Sequence, residues 1–235
     1  MGLEIETRAS DSPWISSVWT SRSDEVSQMT SVASETWGLV FWAQDGASHA
    51  AVTGPETRSG TAPVPEGAAF VGIQFAVGTS LRKTPTSALV DSGIELPDAT
   101  GRHFRLLGDR WETPHPDDAE ALVERLVRSG SVERDPLVAA ALGGRGVPGS
   151  DCTLERRFRA ATGLSRGAVE QIGRARAATG LLLGGATAAT VVADLGYYDE
   201  PHLARALRRY VGRTAGQLRS GTGGALALTA QRTTS

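Results

Sequence analysis

The chain is 235 residues long, 40% hydrophobic and 21% charged, with a net charge of −2, long enough for two domains that each bury a core. Its single cysteine, Cys152, excludes an intrachain disulfide, and no apolar run approaches the ~18 residues of a membrane span. Residues 1–130 hold 10 Lys+Arg against 18 Asp+Glu, net −8, whereas residues 131–235 hold 14 against 8, net +6, and all 14 are Arg. The first part should avoid phosphates and the second has the electrostatic footprint of a polyanion binder.

In chain order, residues 1–6 are acidic with no apolar stretch behind them, so no signal peptide is read there and the expected location is cytoplasmic. Residues 14 to about 97 read as short strands broken by turns. Residues 14–19 alternate, as does part of 35–42, and residues 71–77 are clearest, with Val71, Ile73, Phe75 and Val77 on one face. Turn clusters at 45–48 and 54–60 separate them. Strands at this spacing predict an antiparallel sandwich or barrel over residues 1–115. The aromatics Trp14, Trp19, Trp37, Trp42 and Phe75 can line an effector pocket or belong to the core.

Helices follow. Pro116, Asp117 as N-cap and Glu120 as its capping-box partner predict a linking helix over 116–130, with Leu122, Val123, Leu126 and Val127 on one face. A second helix is expected from Pro136 to Leu142. In the region 131–220, Leu154 and Phe158 sit four apart after a turn, and Leu203 and Leu207 repeat that spacing after Gly196-Tyr197-Tyr198-Asp199. Each pair anchors one face of a short helix and frees the other. A helix from about Arg166 to Leu183 joins the two units, with Ile172, Ala175, Thr179 and Leu182 inward and Arg174 and Arg176 flanking. At 1.5 Å per residue it is roughly 27 Å long. With the flanking offsets, the two recognition helices should lie about 34 Å apart, one DNA turn. Residues 221–235 lack periodicity and are expected to be a disordered tail.

The run from Ala193 to Thr214, ADLGYYDEPHLARALRRYVGRT, resembles the signature of AraC-type bacterial transcription regulators. That pattern is a helix ending in Leu-Gly-Phe/Tyr, an Asp, a Ser-His-Phe-like triplet, an Arg, an apolar residue and a closing Gly-x-Thr/Ser-Pro. Leu154-Glu155-Arg156-Arg157-Phe158 and Thr162-Gly163-Leu164-Ser165 match the first unit. The resemblance implies a DNA-binding domain with two helix-turn-helix units at 131–220, and a cupin-like barrel for sensing or dimerisation ahead of it. Two departures stand out. Only Gly143–Gly149 separates Leu142 from Ser150, where relatives have a full helix, and Thr214-Ala215 replaces Thr/Ser-Pro.

The residues expected to touch double-stranded DNA are Cys152, Glu155, Arg156 and Arg159 in the first unit, and His202, Arg205, Arg208, Arg209 and Arg213 in the second. Arg205 is the foremost base contact, since a guanidinium grips guanine O6 and N7 together. Arg208, Arg209 and Arg213 fit phosphates. His202 either contacts a phosphate or orients its helix through a backbone group. Glu155 either accepts from cytosine N4 or pairs with Arg159. Cys152, at a helix start, is either a small contact residue or a redox-sensitive thiol.

The expected function is a promoter-binding regulator controlled by a small molecule in the first domain, able to self-associate and to act on RNA polymerase. No catalytic residue, metal ligand, cofactor or membrane partner is assigned. Two other readings stay open: an interaction protein that kept the helices but lost its operator, and a metal-dependent enzyme in the barrel. The effector, the operator and activation versus repression are not written in the sequence.

Overall fold

The computed structural model describes residues 4–23, 28–142, 150–224 and 226–227. Its strand-rich part comprises β1 (Glu4–Arg8), β2 (Ile15–Arg22), β3 (Gln28–Ser31), β4 (Gly38–Gln44), β5 (Ala47–Thr53), β6 (Gly60–Pro63), β7 (Ala69–Phe75), β8 (Thr79–Leu81), β9 (Gly93–Glu95), β10 (His103–Leu106), β11 (Asp109–Glu112), α1 (Ala119–Arg128) and β12 (Val132–Arg134). The helical part comprises α2 (Pro136–Leu142), α3 (Asp151–Thr162), α4 (Arg166–Leu183), α5 (Ala188–Leu195), α6 (Glu200–Tyr210), α7 (Ala215–Ser220) and the two-residue β13 (Leu226–Ala227).

Six strands form the main antiparallel sheet in the order β1-β2-β7-β4-β5-β9. Its edges β1 and β9 do not pair with each other, so the expected barrel is not closed among the described residues and the sandwich alternative is the better description. Asp45 and Gly46 both have positive φ, 51° and 78°, the geometry of a two-residue turn whose twist suits a hairpin. That turn joins β4 to β5 in unbroken register.

Alternation gives the sheet two distinct faces. Ile15, Val18, Leu39, Phe41, Ala50, Val52, Ile73 and Phe75 are buried on one, against Leu122, Val123 and Leu126 of α1 and Phe104 and Leu106 of the β10–β11 hairpin. Trp37 stacks on Phe75 at 3.8 Å and its Nε1 donates to the Thr79 carbonyl at 3.0 Å, satisfying the buried indole. The other face carries Trp19, Val40, Phe70 and Gln74 toward a small sheet in the order β13-β3-β6, with a cavity between. Gly72 is required there: a Cβ would fall 1.9 Å from the Trp19 ring, which lies across it.

The linking helix starts later than the sequence predicts. Residues 116–118 form a 3₁₀ turn, His115 Nδ1 accepts from Asp117 N, and Asp118 stands at the N-cap without a side-chain cap. Glu120 does not close the expected capping box. It pairs with Arg8 instead, through Nη1 at 2.6 Å and Nη2 at 2.8 Å, because a bidentate charged partner outbids a lone backbone amide. Its carboxyl is held down to about 2, first by that hydrogen bond.

A second core unites Phe158, Leu164, Val169, Ile172, Ala175, Leu182, Val191, Leu203, Leu207, Tyr210 and Leu218, and it also takes in Val32 and Ala33, just after β3. Leu226–Ala227, within the stretch expected to lack order, pair in parallel with Thr30–Ser31 of β3. Residues 225 and 228–235 lie outside the described residues.

Candidate nucleic-acid interface

Each helix of this region opens on a side-chain cap. Ser150 Oγ accepts from Thr153 N, Ser165 Oγ from Ala168 N, Thr187 Oγ1 from Thr190 N, Asp199 Oδ1 from His202 N and Thr214 Oγ1 from Gln217 N. Such caps contribute about 1 kcal/mol each. Thr214 and Gln217 form a reciprocal capping box, so α7 starts firmly with Ala215 rather than a proline after its cap.

The anchors turn the helices as their spacing predicts. Leu203 and Leu207 are buried and Arg205, Arg208 and Arg209 lie on the exposed side of α6. Phe158 is buried and Leu154 half-buried, leaving Cys152, Arg156 and Arg159 exposed on α3. α2 packs on α3 and buries Val138. Asp135 fixes the pair: its Oδ1 accepts from Leu137 N at 2.9 Å and its Oδ2 from Arg157 Nε at 2.9 Å. α2 is thus the helix that packs ahead of α3, and Gly143–Gly149 between them lie outside the described residues.

Both recognition helices are gripped by the strand-rich part at their C-terminal ends. Thr86 Oγ1 donates to the Ala161 carbonyl at 3.1 Å. Ser59 N donates to the Arg209 carbonyl at 2.9 Å, and Ala33 N to the Tyr210 carbonyl at 2.8 Å. Gly163, with φ 73°, closes α3 where a Cβ would sit 2.6 Å from Val90. Their N-terminal turns stay clear of these contacts.

The nine expected DNA-contact residues divide by what already holds them. Arg156, Arg205 and Arg208 make no ion pair or side-chain hydrogen bond with the described residues. Glu155 is engaged twice, accepting from Arg159 Nε at 3.0 Å and from Arg166 N at 3.2 Å, which ties α3 to the start of α4. His202 Nδ1 accepts from Tyr198 N at 3.3 Å, and its ring meets Tyr197 edge-on at 5.3 Å. Arg209 lies over the Tyr210 ring. Arg213 reaches the carbonyls of Gly212 and Gly223. Cys152 is an exposed free thiol.

Two further residues join this face. A recess of about 160 Å³ between α4 and α6 is lined by Gln171, Arg174, Tyr197, His202, Arg205 and Arg209. Arg174 lies 5.7 Å over the Tyr197 ring, and burial pushes the Tyr197 hydroxyl up while Arg174 opposes it. Three guanidiniums around one recess form a focused positive potential. Tyr198, in the turn before α6, is 90% exposed. Arg174 was legible only as a flank of its helix, because its neighbour in space, Tyr197, is 23 residues away in the chain.

Residues 149–221 match a family model described as a helix-turn-helix domain. No curated protein and no solved structure matches the chain. Among the described residues, no helix is long and apolar enough to cross a membrane.

Proposed function

We propose, for an AraC-type DNA-binding transcription regulator whose helix-turn-helix domain spans residues 149–221, that α3 and α6 enter successive major grooves on one side of a promoter. The observation that carries this reading is the division of each recognition helix into a buried anchor stripe and an exposed arginine face, with Arg156, Arg205 and Arg208 in no ion pair or side-chain hydrogen bond among the described residues. Arginines on an exposed helix face supply both of the contacts such a complex needs, bidentate grip on guanine and charge against phosphate.

In this reading Arg205 reads bases. Arg174, Arg208 and Arg209 hold phosphates, and Tyr198 adds an apolar contact beside α6. Arg156, with Cys152 and Arg159 alongside, serves α3. His202 and Glu155 set helix orientation, since local bonds already engage both, and Arg213 has less freedom to reach a phosphate. The 18 residues of α4 span roughly 27 Å, which with the flanking helices suits one DNA turn. The strand-rich part senses a small molecule and supports pairing of two copies, and the bound regulator acts on RNA polymerase.

Arg205→Ala tests the assignment. Binding to a selected duplex at fixed salt should weaken by about 1–3 kcal/mol, with the thermal unfolding of the protein unchanged. Equal affinity of variant and parent would remove Arg205 from the interface.

A further inference from the structure

Resting on the regulator reading above, we propose that the cavity between the main sheet and the β13-β3-β6 sheet is the effector site. It takes a neutral, elongated, largely apolar molecule with hydroxyl groups at its ends, and its occupancy is sensed directly by α4 through Arg176. The cavity holds about 280 Å³. Scaling from the ~150 Å³ cavity that accommodates benzene, that is room for on the order of eleven non-hydrogen atoms. Trp19, Met29, Val40, Val64 and Phe70 make most of its wall apolar, as ligand pockets generally are.

The polar groups lie at opposite ends of the β7 wall. Ser21 is paired in register with Phe70, and its buried hydroxyl has no hydrogen-bond partner among the described residues. A buried hydroxyl facing an apolar cavity calls for a partner that the cavity's contents would provide. Four residues along β7, roughly 13 Å away, Gln74 shares the cavity with Glu56 and Arg176. Gln74 is already committed, since its Nε2 donates to Ser34 Oγ and the Thr36 carbonyl.

The charge at that end decides the ligand class. Arg176 is nearly fully buried, donates to the Ala33 carbonyl at 3.3 Å, and faces Glu35 at 3.9 Å as well as Glu56. Two carboxylates already answer one guanidinium, so an anionic ligand would bring a third negative charge to a single buried cation. A hydroxyl instead can donate to Glu56 without adding charge. Because Arg176 belongs to α4, whatever fills this end touches the helix that sets the spacing of α3 and α6.

The test uses the full chain and a matched pair of probes, 1,8-octanediol and octanedioate, titrated calorimetrically. The diol should bind one to one and at least tenfold tighter than the dianion, and Ala62→Trp or Met29→Trp, each filling the cavity, should weaken it at least tenfold. Saturating diol should change the affinity for a mixed-sequence duplex at fixed salt at least threefold. No saturable diol binding, or a dianion that binds as well or better, overturns the site. Diol binding that leaves DNA affinity unmoved overturns the coupling through Arg176. Absence of DNA binding with and without diol defeats the regulator reading instead, while the titration alone still decides the cavity.

Discussion

Arg8 and Glu120 join the first strand to the linking helix through two short hydrogen bonds, and both side chains stay partly exposed, at 41% and 34%. Solvent screening keeps such a pair modest, about 1 kcal/mol. The Glu120 carboxyl titrates near 2 in the folded chain, against 4.5 ordinarily. A depressed carboxyl stabilises the fold fully above its unfolded value and loses that contribution as pH falls through the folded one. Glu120→Gln should therefore cost about 1 kcal/mol at pH 7, and its deficit in urea unfolding should close between pH 4.5 and 2. A deficit independent of pH would mean that packing, not charge, holds this contact. The same competition between partners governs Glu155 and His202: each has a local hydrogen bond in hand, so substituting either disturbs a helix before it disturbs a base contact.

Elements of the helical part were largely legible because their determinants are local. The apolar pairs four apart, which mark α3 and α6 in the sequence, lie within one turn of what they control, and the caps at Ser165, Asp199 and Thr214 and the left-handed Gly163 and Gly196 that the structure shows are equally local. The strands were legible as alternation, most clearly in β7, but their pairing was not, since nothing in residues 28–31 announces a cover over a cavity. Arg176 was the main misreading. Helical periodicity put it at a flank, yet it is 6% exposed, because Glu35 and the Ala33 carbonyl approach α4 from 140 residues or so up the chain. Burial lowers its basicity while Glu35 and Glu56 oppose the shift. Truncating one member of a buried ion pair costs about 3–5 kcal/mol, because the other charge is stranded. Arg176→Met should show a loss of that order in urea unfolding, and Arg176→Met with Glu35→Met should recover most of it. Additive losses would show that the two residues act separately.

At the scale of the whole molecule, an acidic strand-rich part holds a basic helical part by the C-terminal ends of α3 and α6 and by the middle of α4. That attachment leaves both arginine faces open and places the cavity where its contents bear on the helix between them. The charge asymmetry, visible in the sequence, favours contact between a polyanion and the basic part over the acidic part, but it carries no sequence preference. Preference requires the two helices to be presented together to one side of a duplex. Selection of bound fragments from a random duplex library, with affinities then measured at fixed salt, examines that requirement directly. Joint presentation of α3 and α6 should yield an enriched site with two blocks about 10 base pairs apart and a marked loss of affinity when either block is scrambled. Equal binding to all fragments, erased by moderate salt, would contradict it and leave a helical domain that meets nucleic acid only as a polyanion.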